Sequence, residues 1–260
     1  MKIRAVLASI SCALVLLGAT AAPAQAATTK KDADLQPAIS KKVNAPIKLA
    51  GAENMRDMGG YKTKTGQHVK KDRLLRSDSL EKLTKADTKK LVKKYHVKEI
   101  FDLRTKAQIA EKPDVKIAGV KYLGSSILGT KSNYDNDDEG MYRDMANKPS
   151  AKKSYHKFLV AAANNKKGSL LFHCSHGMDR TGTSAAILYT ILGVSKKDIQ
   201  RDYLLSNTQL NVTWAKPALL NLFYSQVKEH YGSMNNYIKK GLKITPAQIK
   251  QIKANYLTKA

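Results

Sequence analysis

Cysteine is nearly missing from this sequence: Cys12 and Cys174 are the only two in 260 residues. Long apolar runs are lacking too, and the one at residues 5–17 is short for a membrane span. Its flanks are those of a secretory signal, with Lys2 and Arg4 before it and the small-residue pattern Ala24-Gln25-Ala26 after it. Ser9 stands where a lipoprotein box would want leucine. We therefore expect residues 1–26 to be a cleaved signal peptide, with no lipid anchor and a secreted product. Cleavage removes Cys12, so one thiol remains and an intrachain disulfide is excluded. A thiol kept in an oxidising compartment favours a chemical use for it. Acidic residues are scarce as well, 21 against 46 Lys and Arg, for a formal charge of +25. Such an excess suits anionic surroundings: phosphorylated substrates, lipid head groups or cell-wall polymers. Aromatics make up only 7%, the lysines are spread along the chain, and no nucleic-acid motif is present, so nucleic acid is not an expected partner. There is no internal repeat. Residues 27–46, rich in Lys, Ala, Thr and Pro, suit a flexible leader, and 47–260 suit one domain with a real core. A monomer is expected.

What the chain does have is one dense stretch, residues 169–192, SLLFHCSHGMDRTGTSAAILYTIL. Residues 169–172 form a short apolar run that suits a buried strand, and Ala185, Leu188, Ile191 and Leu192 recur at helical spacing. A strand–loop–helix turn between them aims backbone N–H groups into one concavity and adds the positive end of a helix. Cys174 stands at the floor of that anion cradle. Arg180 follows after five residues and can curl back to offer a planar fork of donors. The field that holds a phosphate also favours the thiolate of Cys174, which can attack phosphorus. Arg180 and the N–H groups of Ser175, His176, Gly177, Met178, Asp179 and Arg180 would bind the phosphate oxygens. Thr181 can hydrogen-bond the sulfur and help its departure. His173 either orients the loop and tunes the thiolate or is a satisfied core histidine, and His176 is a loop side chain rather than an acid or base.

His173-Cys174, five further residues and Arg180-Thr181 resemble the signature of the protein tyrosine phosphatase superfamily. With Asp179 directly before Arg180, the motif is similar to a bacterial branch of exported tyrosine phosphatases, some of which also act on phosphoinositides. That branch usually carries lysine where Met178 stands here. The resemblance implies an α/β fold with a central, largely parallel sheet flanked by helices. It implies hydrolysis of phosphomonoesters through a cysteinyl-phosphate, with no cofactor and no metal, on phosphotyrosine peptides or phosphoinositides. A phosphoinositide or other polyphosphate phosphatase is the alternative within enzymes. An inactive phosphate-binding surface module is the alternative outside them, and the intact Cys174 and Arg180 argue against it. Met178 is expected to meet the substrate with an apolar side chain, which suits an aromatic ring better than a second phosphate.

The chemistry also wants an acid to protonate the departing oxygen. Residues 97–103, VKEIFDL, suit a strand, and ligand sites of α/β sheets gather at carboxyl ends of strands. Asp102 lies at that end, in an Asp-Leu-Arg motif whose aspartate the resemblance marks as general acid. Asp179, inside the phosphate loop, supports the loop or shares the acid role. An edge strand is expected at 47–49, with Arg56 and Asp57 either in a salt-bridged turn or beside the phosphate loop. Further strands and helices are expected at 120–123, 84–95, 150–164, from Ser195 onward, from Pro217 and from Thr245-Pro246. Residues 124–139, with Asp135, Asp137, Asp138 and Glu139, lack the glycine and terminal glutamate of a calcium loop and suit a mobile flap.

Overall fold

Short apolar runs alternate along this chain with amphipathic helical ones, and both can be buried together only as a sheet covered by helices. The computed structural model describes residues 35–259 and has that arrangement. The expected signal peptide and its cleavage site lie outside the described residues. In chain order the elements are β1 (Arg56–Asp57), β2 (Leu74–Ser77), α1 (Lys85–Lys93), β3 (Val97–Asp102), α2 (Lys106–Glu111) and β4 (Lys121–Gly124). Then come α3 (Asp138–Asn147), α4 (Pro149–Asn164), β5 (Ser169–His173), α5 (Asp179–Leu192), α6 (Lys196–Leu210), α7 (Pro217–Tyr231) and α8 (Pro246–Tyr256). The sheet runs β1-β2-β5-β3-β4, parallel throughout except for the antiparallel edge pair β1–β2.

β5 is the last strand in sequence and the central one in space. All of its residues are buried, as a parallel strand covered on both faces requires. Alternation then sorts the side chains. Leu75, Ile100 and Leu171 point into a smaller core closed by Leu80, Leu83 and Leu91. Leu74, Phe101, Leu170 and Phe172 point into a larger one with Phe158, Leu159, Leu188 and Tyr203 from α4, α5 and α6. Register places Ser77, Asp102 and His173 side by side at the carboxyl edge of the sheet. Cys174 is the next residue, so the nucleophile leaves the sheet at its middle.

Local chemistry starts most helices. Thr84 and Asp87 form a capping box on α1, Ser195 caps α6, and Thr245 with Gln248 boxes α8 behind Pro246. α5 differs: its N-cap, Met178, has no side-chain hydrogen bond, which leaves the helix end open toward the loop.

Three expectations need correction. Residues 47–49 form no strand: pairing is limited to an isolated bridge between Pro46 and Arg56, flanked by Asp57 N to Ala45 O and Ile47 N to Met55 O, each 2.9 Å, and β1 takes the edge instead. The carboxyl part of the supposed leader is packed rather than free. Pro37 and Ala38 carbonyls accept from Thr208 and Arg201 of α6, and Asn44 is buried against Asp202. The acidic cluster is no flap. Asp137 caps α3, and Asp138 and Glu139 fill its first turn, where the positive helix end favours carboxylates. The segment before it is fastened by buried Ile127, Leu128 and Tyr134.

Candidate active site

The loop after β5 is shaped from behind. Its carbonyl groups all find donors on the protein side: Ser175 O takes Ser79 N at 2.9 Å, His176 O takes Asn54 Nδ2 at 2.8 Å, and Gly177 O takes Arg76 Nη2 at 2.6 Å. A chain whose carbonyls face backward turns its N–H groups forward, which makes the concavity an anion needs. Gly177 allows the sharpest part of this path. Its φ is +66°, and a Cβ there would stand 2.4 Å from Ser77 O. Cys174 lies at the base, 2% exposed. The Arg180 guanidinium is held across the loop by two donations, Nη1 to Gln108 Oε1 at 2.7 Å and Nη2 to Ser175 Oγ at 3.0 Å.

Behind the loop lies a second tier. Arg76 and Arg56 are both fully buried and share the carboxylate of Asp202. Arg56 also donates from Nη1 to Asn54 Oδ1 at 2.6 Å, and Asn54 is the residue that holds His176 O. Burial would push the Asp202 carboxyl up, but the two arginines win and hold it below its ordinary value. Burial, helped by the nearby Arg76, lowers the Arg56 guanidinium to about 10 against the pull of Asp202. Arg56 thus stands one layer from the phosphate loop, and Asp57 turns away to accept from Gly59 N at 2.9 Å.

The two candidate acids sit in different surroundings. Asp102 is engaged by Arg104 through its backbone N–H at 2.9 Å, through Nε at 3.1 Å to both oxygens, and through Nη2 at 2.8 Å. Arg104 Nη2 also donates to Asp114 Oδ1 at 2.7 Å. His173 closes the group: Nε2 lies 2.9 Å from Asp114 Oδ2, off the hydrogen-bond direction, and Nδ1 lies 3.2 Å from Cys174 O. Burial opposes protonation of His173, but Asp102 and Asp114 outweigh it and raise its pKa. Asp102, Asp114 and His173 have the ligand types of a metal site, with their atoms within 4.8 Å of one another. Arg104 already bonds both carboxylates, so the cationic position is filled by the chain itself.

Asp179 keeps part of its surface at the loop. Its Oδ1 accepts from Tyr142 Oη at 2.6 Å, and that hydroxyl is 2.7 Å from Tyr203 Oη. Desolvation dominates and pushes the Asp179 carboxyl above its ordinary value, while Tyr142 and Arg180 pull the other way.

The tyrosine phosphatase family profile matches residues 47–258. The chain belongs to that family. A Cupriavidus necator protein provisionally named a tyrosine-protein phosphatase is 25% identical over 237 residues, covering 76% of this chain and 84% of the relative. A tyrosine-protein phosphatase of Nostoc commune is 30% identical over 146 residues, covering 52% of this chain and 48% of that protein. Among solved structures, the Siw14 catalytic core is similar at 15% identity, with 74% of this chain and 97% of that chain covered and a TM-score of 0.41.

For this tyrosine phosphatase family member, the loop brings Cys174, Ser175, His176, Gly177, Asp179 and Arg180 together. Two side chains depart from expectation. Met178 does not face the mouth: it is 2% exposed and packs into the larger core, because an apolar side chain at the helix start gains more by leaving water. Thr181 is fully buried, and its hydroxyl has no partner among the described residues, the sulfur included. Gln108, Asn54, Arg76, Asp114, Tyr142 and Asp202 were missed in the sequence. The one local signal was at Gln108, three residues after Thr105, where the pattern of a capping box was present.

Proposed function

We propose that this chain is an exported protein-tyrosine phosphatase that works through a cysteinyl-phosphate. The observation that carries the reading is the loop itself, with its carbonyls tied backward at Ser175, His176 and Gly177 and Arg180 spread across its mouth. Cys174, as thiolate, attacks phosphorus in line with the ester oxygen. The N–H groups of the loop and the Arg180 fork stabilise the equatorial oxygens as charge spreads over them. We give the general acid role to Asp179 rather than Asp102. A carboxyl that is pushed up and partly exposed at the loop can hold a proton for the leaving oxygen, whereas Asp102 is spent on Arg104. Asp179, once ionised, takes a proton from the water that hydrolyses the intermediate.

The test is hydrolysis of phosphotyrosine peptides with chelator present. Cys174→Ser should abolish turnover and keep phosphate binding, and vanadate should inhibit the wild type. Arg180→Lys should lose most of the rate, since an ammonium cannot reproduce the two-pronged fork. Turnover surviving in Cys174→Ser would remove the covalent route. Export rests on residues 1–26. Among the described residues no helix is long and apolar enough to cross a membrane. Mass spectrometry of culture supernatant should find a chain beginning at Ala27.

A further inference from the structure

Trp214 is the only tryptophan in the chain, and it is 55% exposed. A single exposed aromatic on a loose tip would need no explanation. The segment that carries it is firmly held. Asn207, buried in α6, donates Nδ2 to Ala215 O at 2.8 Å and accepts from Ala215 N at 2.8 Å. Val212 N bonds back to Asn207 O at 2.9 Å, and Gln36 Nε2 holds Val212 O at 3.0 Å. Ala215 has no exposed surface, so the residue after the indole is fixed in the core and the indole is presented outward from a rigid base.

The indole stands at the phosphate loop. Its ring centroid is 5.6 Å from that of His176, at an interplanar angle of 78°, an edge-to-face pair. His176 is itself exposed, and its backbone carbonyl is held by Asn54. An aromatic pair fixed at both ends thus stands on the loop that follows Cys174. On the adjoining side a cleft of about 410 Å³ is lined by four carboxylates, Glu53, Asp78, Glu81 and Glu111, against three cations, Lys82, Arg104 and Lys112. A substrate with a second phosphate would meet those carboxylates. A flat phenyl ring would meet the indole.

We propose that Trp214, backed by His176, is the wall on which the phenyl ring of phosphotyrosine packs while its phosphate occupies the Cys174 loop. This rests on the phosphatase reading above and adds to it the feature that selects aryl phosphates. Burial of ring against ring supports binding before and during reaction about equally, so the effect belongs in KM rather than kcat.

The sole tryptophan makes the wall observable without turnover. In the Cys174→Ser protein, a phosphotyrosine peptide should quench or shift the emission of Trp214, and inorganic phosphate or a phosphoserine peptide should leave it unchanged. In the otherwise wild-type enzyme, Trp214→Ala should raise KM for the phosphotyrosine peptide by roughly tenfold with kcat nearly unchanged, and Trp214→Phe should restore most of it. Hydrolysis of the peptide with emission unmoved by its binding would overturn the wall and leave the phosphatase. Vesicles carrying a phosphoinositide that perturb the emission more than the peptide does would overturn the aryl choice. No hydrolysis of any phosphomonoester would overturn both readings.

Discussion

A carboxylate beside an arginine ordinarily stays ionised, and Asp179 is beside Arg180. Desolvation nevertheless wins at this residue and lifts its pKa. Activity should therefore fall as pH rises through that raised value, because the acid form is the useful one. Asp179→Asn should flatten this alkaline limb and slow phenyl phosphate esters by about 10²-fold or more, with esters of very good leaving groups affected far less. Stability falls in the same direction. Below the unfolded pKa both states hold the proton and Asp179 costs nothing; as pH rises through the folded value, the fold carries a charge that its surroundings disfavour. The asparagine variant should then melt higher than wild type at mildly alkaline pH and equally at strongly acid pH. Asp102→Asn should do neither: it should lower stability by freeing Arg104 and leave the alkaline limb in place. A flat limb in Asp102→Asn with a normal one in Asp179→Asn would reverse the two roles. Cys174 and Arg180 were legible in the sequence because their spacing alone specifies their relation. Choosing between the two aspartates was not, since it depends on Tyr142 and Arg104, and Tyr142 is brought in from 37 residues away.

At the scale of elements, the phosphate loop is a strand end and a helix start whose shape is imposed by neighbours. Gly177→Ala puts a methyl group 2.4 Å from Ser77 O at a φ of +66°, so the loop must shift. A displacement of that kind should cut kcat/KM by about 10²-fold while the rest of the fold melts nearly as before. Asp202 acts on the same loop from behind, since it holds Arg76, and Arg76 holds Gly177 O. Asp202→Asn leaves two buried guanidinium groups short of their counter-charge and should cost about 3–5 kcal/mol, read by denaturant unfolding. Its carboxyl pKa is depressed, so this support is present above the unfolded value and disappears as pH falls through the folded one. Urea midpoints of wild type and variant should therefore converge at low pH. The strands at 97–102 and 169–173 and the capped helices were readable because period and cap are local. The edge strand at 47–49 was misplaced because pairing, not composition, decides which short segment joins a sheet, and the pairing of this segment ends at the Pro46–Arg56 bridge.

At the scale of the whole molecule, the charge of +25 and the mouth of the site say different things. The excess of lysine was plain in the sequence and pointed to anionic surroundings. The sequence could not show that four carboxylates, Glu53, Asp78, Glu81 and Glu111, collect in the cleft beside the loop, because they come from three separate segments. Nor could it show that residues 35–46 wrap α6, a contact made by Asn44 and Asp202 across 158 positions. The charge thus acts at long range, on encounter, while the cleft acts at contact. Salt should separate the two. Fields beyond about 8–10 Å are screened at ordinary ionic strength, whereas bonds inside the loop are not. For an acidic phosphotyrosine peptide, kcat/KM should fall as salt is raised with kcat held constant. For a peptide of the same length with neutral flanks, the slope should be much shallower, because only the phosphate is steered. Equal slopes for the two peptides would mean that the lysine-rich surface does not guide substrate, and the charge would then have to serve attachment to an anionic surface instead.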